Sequence, residues 1–157
     1  MCKFLTANEN AVIEQAALLM AKVMEQSPVY QSGITFNDPS MVMDFLKMKL
    51  GLKEREEFMV LFLDNQHKLL SAEILFQGTI NATAVYPREV IKRALELNAA
   101  ALILAHNHPS GQVTPSQSDR NITTKIKDAA ALFDIRLLDH IIVGGTTTYS
   151  FAENLDL

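Results

Sequence analysis

Ala99-Ala100-Ala101-Leu102-Ile103-Leu104-Ala105-His106-Asn107-His108-Pro109-Ser110-Gly111 runs from an unbroken apolar segment straight into polar turn chemistry. Seven apolar residues bounded by turn signals fit a strand buried on both faces, although periodicity alone leaves a helix open. Residues 106–115 are polar and contain Gly and Pro. Ser116 then starts a helix carried by Ile122, Ile126, Ala129, Ala130 and Leu132. Buried strand, loop and helix in that order are the unit of an α/β sheet, and ligands gather where such strands end.

Outward from this unit the pattern continues in both directions. Residues 136–143 form the last convincing strand, closed by Gly144-Gly145, with a short strand over 146–151 after it. Upstream, Pro87 opens a helix through Val90, Ile91, Ala94, Leu95 and Leu97 that ends near Asn98. Residues 78–86 read as irregular or as a short third strand. The apolar runs 58–63 and 69–76 flank the polar Asp64-Asn65-Gln66-His67-Lys68, which predicts a β-hairpin with at least one strand buried on both faces. Asp38-Pro39 offers an N-cap and a first-turn proline for a helix through Met41, Val42, Phe45, Leu46 and Leu50, stopped at Gly51. Residues 27–37 read as a loop. Before them, Thr6 and Glu9 form a capping box for an amphipathic helix reaching about Glu25. Helices alternating with strands predict an α/β/α sandwich around a mixed sheet.

The 157 residues are 48% hydrophobic and 20% charged, a composition that suits one globular domain and excludes a disordered chain. A net charge of -4 argues against a broad phosphate-binding surface. Cys2 is the lone cysteine, so neither a disulfide framework nor a cysteine zinc site is available. No basic stretch followed by a long apolar run opens the sequence, and the run 99–105 is too short to span a bilayer. The expected location is cytoplasmic, with no membrane partner.

The chemistry concentrates in His106-x-His108 and Asp119. Two histidines one residue apart project to the same side of an extended segment. Asp119, in the first turn of the next helix, can return its carboxylate to both imidazoles across the intervening loop. A His-x-His pair alone is weak evidence, and an acidic first-turn residue can merely complement a helix dipole. Together, behind a buried strand, they form a borderline-soft, singly anionic donor set that suits Zn2+. Three protein ligands leave a fourth tetrahedral position for water, as in catalytic zinc sites.

His106-x-His108, followed by Ser116 and Asp119, resembles the JAMM zinc-hydrolase motif position for position. The wording Ala105-His106-Asn107-His108-Pro109-Ser110-Gly111 resembles the RadC branch of that superfamily. Gly78-Thr79-Ile80-Asn81, Pro87-Arg88-Glu89-Val90, Asn98-Ala99-Ala100-Ala101 and Leu138-Asp139-His140-Ile141-Ile142-Val143-Gly144 extend the likeness over roughly residues 39–151. The short length is similar to prophage-type members. The resemblance implies a JAB/MPN fold, related to that of cytidine deaminase, over residues 38–157, preceded by an N-terminal helix and loop over 1–37. It implies that His106, His108 and Asp119 ligate zinc, and that Ser116 orients the water or stabilises an oxyanion. It also implies a glutamate general base at the start of the first sheet strand. Glu56 matches the family's Glu-x-Phe pattern best. Glu57, on the opposite strand face, is second and Glu73 third. His140 reads as structural or as a support behind the ligands, and His67 as a surface turn residue.

Three functions follow as expectations. The first is a metallopeptidase acting on a peptide or isopeptide bond of a protein substrate. The second is a DNA repair or recombination factor, or a metal-dependent nuclease; residues 1–37 are too short and too little basic to resemble the helix-hairpin-helix region of larger relatives. The third is a non-catalytic interaction module, a reading that the retention of all three ligands weakens.

Overall fold

The helix Pro39–Leu50 (α1) begins where Asp38, in extended backbone, accepts a hydrogen bond from Ser40 N at 2.8 Å and Pro39 fills the first helical position. The computed structural model describes residues 34–78 and 84–157, together with Thr6, Asn8, Glu9, Ala11, Val12, Ile13, Gln15, Ala16 and Leu19. At the N-terminal end the expected capping box is present: Glu9 N donates to Thr6 Oγ1 at 3.3 Å and Thr6 N to Glu9 Oε2 at 2.8 Å. The expected continuation of that helix through Met20 and Val23, most of the 27–37 loop, and residues 79–83 lie outside the described residues.

After α1 come β1 (Glu57–Leu63) and β2 (Leu69–Gln77), then α2 (Pro87–Glu96) and β3 (Ala101–Asn107). The long helix α3 (Gln117–Ala131), β4 (Arg136–Gly144) and β5 (Thr147–Ser150) complete the chain. The five strands lie in the order β2-β1-β3-β4-β5, and β3–β4 is the one parallel pair. That parallel step needs a crossover, and α3 supplies it.

Side-chain alternation divides the core into two layers. Met59, Leu61, Leu63, Ala101, Ile103, Ala105, Ile141 and Val143 face α1 and meet its stripe of Val42, Phe45, Leu46 and Leu50. Phe58, Val60, Phe62, Leu102 and Leu104 face the other way, against Val90, Ile91 and Ala94 of α2 and Ile126 and Ala130 of α3. The result is the expected α/β/α sandwich around a mixed sheet. Every residue of β1 and β3 is buried, as their uninterrupted apolar runs require.

The third strand begins two residues later than the run 99–105 suggests. Asn98 adopts a left-handed φ of 51° and ends α2, and Ala99 N still bonds back to Ala94 O at 2.9 Å. The apolar run thus covers a helix stop as well as a strand, and β3 extends through His106 and Asn107.

Candidate metal centre

His106 is paired across β3 with Phe58 of β1 and Ile142 of β4, and its ring stacks on Phe58 with centroids 6.0 Å apart. It therefore faces the α3 layer. His108 lies one residue past the strand, but its N–H still donates to Val143 O at 2.9 Å, so the alternation persists and both imidazoles share one side. The chain then turns sharply. Gly111 has a φ of 81°, a left-handed value that favours glycine. Gly144 lies so close beneath that a Cβ there would be 2.5 Å from Gly111 O. This contact holds the 108–116 loop against the end of β4.

Asp119 comes from the first turn of α3. Ser116 is the N-cap, and its Oγ accepts from Asp119 N at 3.1 Å. In return Asp119 Oδ2 accepts from Ser116 N and from Ser116 Oγ, both at 2.7 Å. This capping box fixes the carboxylate by one oxygen and leaves Oδ1 free, 3.3 Å from His106 Nε2. His106 Nε2 and His108 Nε2 are 2.9 Å apart, and His108 Nε2 is 3.7 Å from Asp119 Oδ2. The three donor atoms all lie within 4.8 Å of one another, the single such group among the described residues.

The electrostatics suit a cation. Burial pushes the Asp119 carboxyl up, but the bonds to His106 and His108, with that from Ser116, outweigh it and hold the group far below the usual carboxylate range. Contact with Asp119 raises the His108 imidazole against the opposing effect of burial; the Gln112 carbonyl and the charge of Glu56 add to the rise. His108 Nδ1 is 2.7 Å from Gln112 O, which can only accept, so Nδ1 carries a proton and Nε2 is the coordinating nitrogen. Without a cation, the Asp119 carboxylate favours the protonated form of His108. Two imidazole nitrogens and an ionised carboxylate converging in this way fit a divalent metal of borderline softness.

Glu56 is half-buried just before β1, and its carbonyl accepts from Gly78 N at 2.8 Å. Continuing the β1–β3 register past Phe58↔His106 sets Glu56 opposite His108 and Glu57 opposite Asn107. Glu57 belongs to the α1 side, where Oε1 accepts from Gln77 Nε2 at 3.3 Å. Its Oε2 is buried, has no aligned hydrogen bond among the described residues, and lies 3.3 Å from Lys53 Nζ. Glu73 is engaged by Arg93, whose Nη2 and Nε reach it at 2.7 and 2.9 Å. His67 sits in the hairpin turn with a φ of 62°, at the far end of β1 from Glu57. His140 is fully buried behind the site, with Nε2 2.8 Å from His106 Nδ1. Burial holds its imidazole well below the usual histidine range.

Two residues that the sequence did not single out join this set. Asn107 is 2% exposed and faces the α1 side. Its Oδ1 accepts from Glu57 N at 2.8 Å, and its Nδ2 donates to Arg55 O at 2.9 Å and Lys53 O at 3.2 Å. Those bonds flank Glu56 in the chain. Thr123 is also buried, with its Oγ1 2.6 Å from both Asp119 O and His140 Nδ1. The available signal was a polar residue on an otherwise apolar register: an asparagine ending a buried strand, and a threonine aligned with Ile126 and Ala130.

Comparison with known proteins agrees with this architecture. The RadC-like JAB domain family matches residues 36–156. A UPF0758 protein of Haemophilus influenzae (strain PittEE) is 56% identical over 144 residues, covering 92% of this chain and 62% of its own length. A UPF0758 protein of Vibrio cholerae (serotype O1) is 51% identical over 145 residues, covering 92% of this chain and 88% of its own length. The UPF0758 protein YkfG of Escherichia coli (strain K12) is 53% identical over 126 residues, or 80% of each chain. The chain therefore spans less than two thirds of the Haemophilus relative and most of the other two. Because the match runs from α1 through all five strands and includes His106, His108 and Asp119, the chain belongs to the RadC-like JAB domain family.

Proposed function

We propose that the protein is a zinc-dependent metallohydrolase that cleaves a peptide or isopeptide bond. The observation that carries this reading is the convergence of His106 Nε2, His108 Nε2 and an Asp119 carboxylate oxygen within 4.8 Å. When bound, zinc supplies Lewis acidity that polarises a carbonyl and lowers the pKa of a water from about 16 to about 7. Three protein donors leave a fourth position open. The His106 side chain is 1% exposed and those of Asp119 and His108 are 13% and 19%, so solvent reaches the donors from the His108 side.

Glu56 is the general base in this reading. Its register places it across from His108, and its charge reaches that imidazole. The Glu56 carboxylate takes a proton from the attacking water and delivers it to the leaving amine nitrogen. A C–O bond forms and the C–N bond breaks, with the proton passing from one to the other. Ser116 acts first through Asp119, because its hydroxyl proton is directed at Oδ2. Contact with a substrate oxyanion requires that hydroxyl to turn away from the carboxylate.

The test is metal analysis of the wild type beside Asp119→Ala, followed by a cleavage screen over peptides, isopeptide-linked proteins, plasmid DNA and single strands. The wild type should retain about one zinc per chain and cleave an amide bond, with Glu56→Gln inactive but metal-loaded. A wild type that stays metal-free in zinc-replete medium defeats the proposal. Metal-dependent cleavage confined to nucleic acid replaces it with a nuclease.

A further inference from the structure

Behind the three donors lies a buried chain of hydrogen bonds whose directions are fixed from one end. Asp119 O, a backbone carbonyl, can only accept, so Thr123 Oγ1 at 2.6 Å must donate to it. A hydroxyl has one proton. Toward His140 Nδ1, also at 2.6 Å, Thr123 Oγ1 is therefore the acceptor, and His140 carries its proton on Nδ1. His140 is wholly buried between the rings of Phe58 and Phe151, and neither of its nitrogens bonds to a carboxylate. A charged imidazole would be left there without compensation. His140 Nε2 is thus bare, and the 2.8 Å contact to His106 Nδ1 is closed by a proton on His106 Nδ1. With Nδ1 so engaged, Nε2 is the His106 nitrogen turned to the site, 2.9 Å from His108 Nε2 and 3.3 Å from Asp119 Oδ1.

We infer that Thr123 and His140 are positioning residues that set the tautomer of His106, so that its Nε2 is presented unprotonated to a metal. The chain starts and ends on the same site, because the carbonyl that orients Thr123 belongs to Asp119, itself one of the donors. The helix that delivers the carboxylate also dictates the protonation of the imidazole facing it. Removing the threonine hydroxyl strands the proton on His140 Nδ1. The cheapest repair is for His140 to carry its proton on Nε2, donating to His106 Nδ1. His106 must then carry its own proton on Nε2, where it blocks coordination. Partners of this kind behind metal-binding histidines change metal affinity by about 10–100-fold.

This inference rests on the metal-site reading for its consequence but not for its geometry, and the experiment separates the two. Thr123→Val keeps the shape and removes the hydroxyl; Thr123→Ser restores it. Ring nitrogen protonation is read by long-range 15N–1H correlation NMR on metal-free protein near pH 8, about 1.5 units above the ordinary histidine pKa. Zinc affinity is measured by competition with a chelator. The wild type and Thr123→Ser should show Nδ1–H on both His106 and His140, and Thr123→Val should shift both to Nε2–H with zinc affinity about 10–100-fold weaker. An Nε2–H tautomer at His106 in the wild type overturns the inference whether or not the valine variant folds. So does a folded Thr123→Val protein with unchanged tautomers and zinc affinity within about twofold of wild type. Wild-type protein that shows the expected tautomers but binds no zinc sinks the metal reading and upholds the hydrogen-bond chain.

Discussion

Asn107→Ala should lower stability substantially and leave the candidate metal site intact, although residue 107 lies between its two histidines. The side chain makes three hydrogen bonds, and their losses are unequal. Lys53 and Arg55 are exposed, so water can reach the carbonyls they lose to the substitution. Glu57 is 8% exposed, and its N–H is left buried without an acceptor, at a cost of about 1–3 kcal/mol. Adding a small packing loss gives about 2–3 kcal/mol, which for a chain of this size lowers Tm by roughly 4–12 °C. Asn107→Asp separates the components. It keeps an acceptor for Glu57 N but turns a carboxylate oxygen toward two carbonyls in a buried place, so it should cost at least as much. The assay is thermal and urea unfolding of metal-free protein, with zinc affinity measured alongside by chelator competition. Zinc affinity should stay within about threefold of wild type, because Asn107 faces away from the donors. A stability loss below about 0.5 kcal/mol for Asn107→Ala refutes the accounting. A fall in zinc affinity as large as that of Asp119→Ala refutes the separation of the two faces.

Zinc uptake should release a proton: His108 is raised by Asp119, so metal-free protein holds that proton above the ordinary histidine pKa of about 6.5. Affinity measured from about pH 8 down to about pH 6 should begin to fall above 6.5, and a flat profile across that interval contradicts the raised His108 imidazole. His140 acts in the opposite sense, because its folded pKa is depressed. Below about pH 6.5 the unfolded chain binds a proton that folded His140 refuses, removing up to about 1.4 kcal/mol per pH unit, and urea titrations of His140→Gln should lack that part of the slope. Glu73→Gln should keep both zinc and hydrolysis, because Arg93 rather than the metal site engages that carboxylate. Its stability cost should be about 1 kcal/mol or less, since Arg93 is 38% exposed and the pair is partly screened.

The sandwich was legible because its signals are strong and local. Asp38-Pro39, Thr6 with Glu9, and Ser116 with Asp119 are capping patterns whose hydrogen bonds are all formed. Uninterrupted apolar runs of six residues (58–63) and seven (99–105) suit burial on both faces, which marked β1 and β3. The 99–105 boundary was less legible, because alanines suit a helix end and a strand start equally well and a left-handed Asn98 decides the matter. The convergence of His106, His108 and Asp119 was allowed by their spacing and implied by the family resemblance. What supports the three donors did not, because hydrogen-bond partners are set by tertiary proximity: Thr123 meets His140 across 17 positions and Asn107 meets Glu57 across 50. A polar side chain on an apolar stripe announces that it must be satisfied, but not by whom.

Strand parity explains how one short motif can serve both halves of the proposed chemistry. At the end of β3, positions 106 and 108 face α3 and the carboxylate it carries, whereas position 107 faces the α1 layer and the chain leading into β1. The same alternation on β1 sends Glu56 toward the donors and Glu57 away from them. A slip of β1 by one residue would exchange the two, placing Glu57 opposite His108. Apolar burial resists such a slip because it would turn the Phe58, Val60 and Phe62 face outward against the wrong helix. Asn107 resists it at the open end of the sheet, where burial is weakest, by bonding the peptide groups on either side of Glu56. The residue between the two histidines therefore fixes the register on which the choice of proposed base depends. Glu56→Gln and Glu57→Gln should then differ in kind, the first lost in hydrolysis and the second in stability.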